Sequence, residues 1–300
     1  MYDILIIGGG PAGLTAATYA CRAGKSVLVL EKAAFGGQIT WSPRVENFPG
    51  FVSISGNELG DKLLEQAMEQ GAEVELEEVV SLEREGECWT ARCDSGAAFA
   101  GRAVILAAGA RPRMLGLPRE EELVGSGVGY CAVCDGAFYK GKAVAVNGGG
   151  NSALQDALLL SESCSKVYLI HRRDSFRGEQ KLVDALRQRE NVEFVLSASV
   201  TRLLGEEELS GVVVEQNGQL REIPVEGLFV AIGHQPDLEA FAPWLQRDKS
   251  GYADAAEDCL TATEGLFVAG DCRKKSVRQL TTAAADGAVA ALAACHWLDR

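Results

Sequence analysis

Apolar and polar positions divide the chain into two series of strand, turn and helix. Ile4–Ile7 is an apolar run of strand length that stops at Gly8-Gly9-Gly10-Pro11-Ala12-Gly13. A run apolar at every position predicts a strand buried on both faces of a parallel sheet. The spacing then predicts a helix from Pro11 to about Arg22, ended by Gly24, and a second buried strand over Val27–Leu30 that stops at Glu31. Leucines at 59, 63 and 64 predict an amphipathic helix over residues 57–70. Weak alternation from Glu73 through Ala100 predicts two or three strands of a small β-layer. Ala103–Leu106 predicts another buried strand, ending in Ala107-Ala108-Gly109.

The series then repeats. Ala143–Val146 reads as a strand, Gly148-Gly149-Gly150-Asn151-Ser152-Ala153 as its turn, Leu154 to about Ser163 as a helix, and Val167–Ile170 as the returning strand. The separation from Gly8 to Glu31 equals that from Gly148 to His171, so the chain carries an internal repeat. Its second copy closes as the first does, with Gly227–Ile232 ending in Gly233 and followed by His234-Gln235-Pro236. A last strand, Leu266–Ala269, ends in Gly270-Asp271, and Arg278, Gln279 and Leu280 open an alanine-rich helix. The expected fold class is α/β, with two Rossmann-like three-layer nucleotide-binding domains. Residues 1–112 and 241–300 form a discontinuous first domain, and residues 113–240 are inserted into it.

The turns carry the candidate chemistry. Gly8 makes the tight turn, Gly10 lets a pyrophosphate approach the backbone, and Gly13 lets the helix that opens at Pro11 and Ala12 pack on its strand. Glu31, with Lys32 beside it, ends the second strand, where a carboxylate accepts hydrogen bonds from ribose hydroxyls and repels a 2′-phosphate. Gly36, Gly37, Gln38 and Asn47 lie in a loop suited to a flavin ring, or equally to an ordinary connector. Ala108, Gly109, Gly270 and Asp271 stand at strand ends, Asp271 suited to ribityl hydroxyls, and Arg278, Gln279 and Leu280 start a helix whose amides can face the ring. In the second copy, Gly148, Gly150, Asn151, Ser152 and Ala153 form the turn, and Ile232 and Gly233 the closing strand end. There His171, Arg172 and Arg173 replace the acid, with Arg177 beyond, and guanidinium groups can clamp a 2′-phosphate. The first copy is therefore expected to hold FAD and the second NADPH.

Between the copies lies Cys131-Ala132-Val133-Cys134-Asp135-Gly136. Beside nucleotide turns, a C-x-x-C pair reads as a redox dithiol. Half of a zinc site is the alternative, but that wants a second close Cys or His pair at metal spacing; Cys88 and Cys93 instead flank Trp89 on a predicted strand. The 300 residues suffice for two domains, and 47% apolar with 24% charged residues describes a soluble globular protein. A net charge of −13 argues against nucleic acid or an anionic membrane as partner. Nine cysteines with one close pair fit cytosolic thiols, and Cys21, Cys164 and Cys295 read as buried and inert. Because the chain runs straight into Asp3–Ile7, no signal peptide is expected; Asp286 interrupts the C-terminal apolar run, so no membrane span is expected either. These features together make a cytoplasmic location the expectation.

With these residues together, the chain resembles the low-molecular-weight, bacterial-type thioredoxin reductases from Ile4 to the final helix. The resemblance is carried by Gly8–Gly13, Gly36-Gly37-Gln38, Glu46-Asn47-Phe48-Pro49-Gly50, Cys131–Gly136, Gly148–Ala153, His171-Arg172-Arg173 with Arg177, Ala269-Gly270-Asp271, and Arg278-Gln279. It implies that electrons pass from NADPH through FAD to the Cys131–Cys134 disulfide and on to thioredoxin. By the same analogy Cys134 meets the flavin, Cys131 attacks the substrate disulfide, and Asp135 moves the protons. It further implies a homodimer, and a rotating NADPH domain with hinges near 111–117 and 236–243. Asn147, Ala108, Val133 and Asn151 depart from the usual pattern, and Asn147 bears on how NADPH seats. Competing readings are a flavin enzyme acting on a small dithiol, one fed by ferredoxin, which would lack the arginines, and a non-catalytic flavin-binding protein.

Overall fold

The computed structural model describes residues 1–300. In chain order it contains β1 (Tyr2–Ile7), α1 (Pro11–Arg22), β2 (Val27–Glu31), α2 (Gly56–Glu69), β3 (Glu73–Leu76), β4 (Val79–Glu85), β5 (Cys88–Cys93), β6 (Ala98–Leu106) and β7 (Ala110–Pro112). Next come β8 (Val128–Gly129), α3 (Ala132–Asp135), β9 (Ala143–Asn147), α4 (Asn151–Ser161), β10 (Lys166–His171), α5 (Gln180–Arg187) and β11 (Val192–Leu196). The chain continues through β12 (Ala198–Leu204), β13 (Gly211–Gln216), β14 (Gln219–Ile223), β15 (Gly227–Val230) and β16 (His234–Pro236). It closes with β17 (Leu266–Val268) and α6 (Leu280–Leu298).

Two compact units result, Met1–Arg111 with Gln235–Arg300, and Pro112–His234. The return crossing lies within β16, ahead of the boundary at 240 read from the sequence, because His234–Pro236 is itself a strand that leaves the inserted unit.

In the first unit β3, β2, β1, β6 and β17 pair side by side in parallel, the order of a doubly wound nucleotide fold. Ile4 to Ile7 of β1 and all of β2 are buried, as full apolar runs demand. One face of the sheet packs on α1 and α6 through Ile4, Ile6, Ala16, Ala17, Ala290 and Ala294; the other packs on β4 and β5 through Leu5, Leu28, Leu82 and Trp89. Each such buried branched side chain contributes about 1.5–3 kcal/mol relative to exposure.

The structure differs from the sequence reading at β6. Residues 98–106 are one strand, and the expected small layer is hydrogen-bonded into the same sheet. Gly101 is the switch: it pairs with Tyr2 in parallel on one side and with Trp89 antiparallel on the other. A β-carbon there would stand 2.6 Å from Leu5, so only glycine lets one strand serve both partners without displacing the core.

The inserted unit repeats the plan, with a parallel sheet in the order β11-β10-β9-β15-β8. A separate antiparallel meander, β12-β13-β14, covers one face through Val200, Leu203, Val212 and Val214. Helices α4 and α5 supply Leu154, Leu160, Val183 and Leu186 to the other.

Candidate active site

Both glycine turns are shaped by close approach. Gly8 has φ 110°, and a β-carbon on it would meet the Ala107 carbonyl oxygen at 2.3 Å. Gly148 lies the same way against Ala231, at 2.4 Å. Gly10 and Gly150 are the N-caps of α1 and α4, and no side chain crowds either backbone. Pro11 takes the first position of α1, where its missing N–H is no loss. The exposed amides at these helix starts are anion-binding groups.

Around the first turn, Glu31 is buried and accepts hydrogen bonds from the Gly9 amide on Oε2 (2.7 Å) and the Ala33 amide on Oε1 (3.0 Å). Gly36 donates its amide to the Gly9 carbonyl, and Gly36 and Gly37 have φ 98° and 61°. Gln38 donates from Nε2 to the Ala110 carbonyl, beside Ala108 and Gly109. Asn47 reaches Gln279 at 3.5 Å; Gln279 caps α6 reciprocally with Thr282, and Leu280 is that helix's first residue. Arg278 lies over the Tyr252 ring at 3.9 Å and donates to the Asp271 and Arg273 carbonyls. Asp271 presents a buried Oδ1 with no partner, and burial holds its carboxyl above the usual range while Lys275 and Arg278 oppose this. Lys32 is drawn elsewhere, to Asp237 and Glu78.

The second turn differs in sign. His171, buried at the end of β10, presses its ring on Gly149 and stacks on Phe176, with centroids 5.4 Å apart. Its Nε2 has no partner, and its pKa is lowered, first by burial and then by Arg173, Arg177 and Arg172. Those three arginines are exposed, and none is paired with a carboxylate. The Arg177 and Gly178 amides donate to the Gly149 carbonyl (2.8 and 3.2 Å), and Asn151 ties the same loop down through two hydrogen bonds with Glu179. Ser152 is exposed and Ala153 buried in the first turn of α4. Gly233, φ 111°, comes after the partly exposed Ile232, and its carbonyl accepts the Arg113 amide. Asn147 is buried in β9 between Ile170 and Val230.

Cys131 and Cys134 are joined by a disulfide, their Cα atoms 5.3 Å apart. Cys131 is the N-cap of the short helix α3, and its Sγ accepts the Cys134 amide at 3.2 Å. Val133 between them is exposed. Asp135 closes the helix with a buried, unpartnered Oδ1, and burial pushes its carboxyl up to about 6. The other seven cysteines are free. Burial raises the thiols of Cys21, Cys164 and Cys295 and puts Cys259 and Cys272 at about 12, so none is an activated nucleophile. The groups of His, Cys, Asp and Glu include none that could hold a metal ion.

Residues 2–287 match the family described as pyridine nucleotide-disulphide oxidoreductase. The chain belongs to this family. It is 40% identical to a thioredoxin reductase of Bacillus subtilis over 305 residues, covering 100% of this chain and 95% of that protein. The solved thioredoxin reductase of Streptococcus pyogenes superposes with a TM-score of 0.93 at 37% identity, covering 100% of this chain and 98% of the other. That of Giardia duodenalis gives 0.91 at 33%, covering 100% and 99%.

For a member of the pyridine nucleotide-disulphide oxidoreductases, the residues present fit two dinucleotides of different kind. An open Gly10 backbone, the Glu31 carboxylate and the orphaned Asp271 oxygen suit an FAD in the first unit. Three unpaired guanidinium groups beside an open Gly150 suit the 2′-phosphate of NADPH in the second. Sequence reasoning missed three acidic groups. Glu120, 1% exposed, gathers the amides of Leu115, Gly116 and Leu117 and the phenol of Tyr130, the residue before Cys131. Asp156 on α4 is half-buried, and burial pushes its carboxyl up to about 6. Asp286 on α6 holds two cations. Glu120 stands in the charged run Arg119–Glu122, Asp156 follows Gln155, and Asp286 is set among alanines, so nothing in the local pattern singles any of them out.

Proposed function

We propose that this chain is an NADPH-dependent reductase of the disulfide of thioredoxin, working through FAD and the Cys131–Cys134 pair. The observation that carries the reading is that pair, bonded on a short helix beside an unpartnered buried acid, in the unit whose nucleotide turn ends in three free arginines. The family and its thioredoxin reductase relatives support FAD and NADPH as the cofactors. When bound, FAD supplies the relay of an electron pair from the NADPH hydride to the disulfide.

The chain's own residues bind, orient and move protons. Gly8–Gly13 and Glu31 hold one dinucleotide; Gly148–Ala153 with Arg172, Arg173 and Arg177 hold the other. Opening the Cys131–Cys134 bond takes two electrons and two protons, and exchange with a substrate disulfide passes both on. Asp135, titrating at about 6, can hold and return a proton near neutrality. By the family resemblance Cys131, the N-cap of α3, is the sulfur assigned to attack the substrate, and Cys134 is assigned to the flavin side. Seven free thiols support a reducing, cytoplasmic setting, and no helix is long and apolar enough to cross a membrane. The family resemblance also supports a homodimer, which light scattering would test.

The test is an anaerobic titration of the purified flavoprotein. NADPH, and NADH far less, should bleach the flavin, and oxidised thioredoxin should restore the colour. A flavin that NADPH leaves oxidised, or that thioredoxin leaves reduced, sinks the proposal. Cys131→Ser should still accept electrons at the flavin and lose at least about 99% of transfer to thioredoxin, since the attacking sulfur is gone. Retained thioredoxin reduction would reverse the assignment of the two sulfurs.

A further inference from the structure

The first unit's strand-end turn rests on a buried charge cluster that has no part in the electron or proton transfers. Asp286, 6% exposed, accepts on Oδ2 from the Gly270 amide (3.0 Å), Arg273 Nε (3.1 Å) and Lys275 Nζ (2.9 Å), and on Oδ1 from Arg273 Nη2 (3.0 Å). The side chains of Arg273 and Lys275 are 2% and 5% exposed. Arg273 spends its remaining N–H groups on the Ala255 and Ala256 carbonyls and on Glu257, which is at the surface. Lys275 has Asp286 as its ion-pair partner.

One buried carboxylate therefore faces two buried cations, and an uncompensated interior charge is costly. The nearby buried carboxylate that can balance it is Asp271, on which Lys275, Arg278 and Asp286 all act. The geometry leaves little play. Gly270 has φ 77°, and its β-carbon would meet Ala12 Cβ at 2.8 Å; that of Gly287 would meet the Ala12 carbonyl oxygen at 2.1 Å. Helices α1 and α6 and the 269–271 turn thus converge on Ala12, and Asp286 is the residue that α6 delivers there.

We infer that Asp286 is a positioning residue for the flavin: by holding the Gly270 amide and pairing with Lys275, it fixes the turn that presents the Asp271 carboxylate as an acceptor for ribityl hydroxyls. This rests on the assignment of FAD to the first unit. Asp286 touches no reacting atom; it acts through Gly270 and Asp271. Lys275 and Arg278 favour the ionised Asp271 carboxyl against burial and the Asp286 charge, so losing Lys275 shifts it further toward the protonated form.

The experiment tracks the release of FAD from the holoenzyme by the rise in flavin fluorescence on dilution, from about pH 6 to about pH 9, with circular dichroism melting alongside. Asp286→Ala should release FAD at least about tenfold faster at every pH, the effect of losing charge-assisted bonds to the turn. Lys275→Met keeps the Asp286–Arg273 pair and the Gly270 bond, so its release should quicken more steeply than that of the wild type as pH falls. Such a pH profile is not produced by a merely structural role. A wild-type protein without bound flavin would overturn the FAD assignment and this inference with it. A wild-type protein that holds FAD, with both variants, or Lys275→Met alone if Asp286→Ala does not fold, releasing it at the wild-type rate at every pH, would overturn the inference only.

Discussion

The two glycine turns of this chain share a backbone plan and oppose each other in chemistry. In the first, Gly9 is pressed by Glu31 and Phe35; in the second, Gly149 is pressed by His171. In the first, the Gly36 amide closes the loop on the Gly9 carbonyl; in the second, the Arg177 amide does so on Gly149. A buried carboxylate with two amide donors thus corresponds to a neutral-leaning ring surrounded by three guanidinium groups. The helices also seat differently. Gly13 has no room for a methyl, since a β-carbon would lie 1.9 Å from the Gly8 carbonyl oxygen, whereas Ala153 carries one against Gly148. Gly8 accommodates this with φ 110°, a conformation Gly148 does not adopt. Turn shape is therefore set against the neighbouring strand ends. In the proposed function, phosphate preference follows from the residues at the end of β2 in one copy and of β10 in the other.

The largest effect expected from breaking this correspondence is at the helix seat. Gly13→Ala should destabilise the protein by about 3 kcal/mol or more, because the new methyl would collide with the Gly8 backbone rather than with a side chain that can move, and should yield flavin-poor protein. Ala153→Gly, the reverse change in the other copy, should cost only about 1 kcal/mol. Thermal melts and flavin-to-protein absorbance ratios check both; equal losses would mean the two seats are equivalent.

Removing the arginines sharpens the contrast in charge. Arg173→Ala or Arg177→Ala should each lower the preference for NADPH over NADH by about tenfold, from charge-assisted contacts of about 1.5 kcal/mol or more, leaving NADH kinetics unchanged. Measured kcat/KM for both nucleotides decides it, and a parallel fall with NADH would point to a folding effect.

Glu31→Gln is next. Both Glu31 oxygens accept amides, so the new NH2 must face the Gly9 or the Ala33 N–H. A loss of about 1–3 kcal/mol in FAD affinity is expected by fluorescence titration, and an unchanged affinity would show the carboxylate to be dispensable.

The smallest effect is in pH dependence. Asp135 titrates at about 6 in the fold against an ordinary 3.8. Burial therefore favours the protonated fold, a contribution present below about 3.8 and lost as pH rises through about 6. Asp135→Asn should melt higher than wild type above pH 6, with the advantage vanishing at acid pH, while disulfide transfer loses its break near 6. His171, with a lowered pKa, works in the opposite sense: its contribution is present above the ordinary 6.5 and lost as pH falls below it.

Most of the frame was legible in the chain. Apolar runs that stop at glycines predict β1, β2, β9 and β10 almost to the residue, since a strand buried on both faces has no polar position to spare. The Cys131–Cys134 spacing predicts a closable pair, and the structure closes it. Gly101 and β6 were read less well, because alternation on the β4–β5 side and a continuous run on the β1 side look like two strands until one residue is seen pairing both ways. Lys32 shows the limit of adjacency: next to Glu31 in sequence, it points to Asp237, far along the chain.

By itself the sequence determined what its local periodicities encode: two copies of a strand–turn–helix unit, an acid in one and arginines in the other, and a dithiol between them. Only the tertiary structure decided which of the remaining polar groups are buried and what they face. Asp286 meeting Gly270, Arg273 and Lys275, Glu120 gathering a loop beside Tyr130, and Asp135 losing its water all depend on contacts between segments distant in the chain or on depth in the fold. Desolvation and hydrogen bonding are set by those surroundings, so no pattern of neighbours along the chain records them.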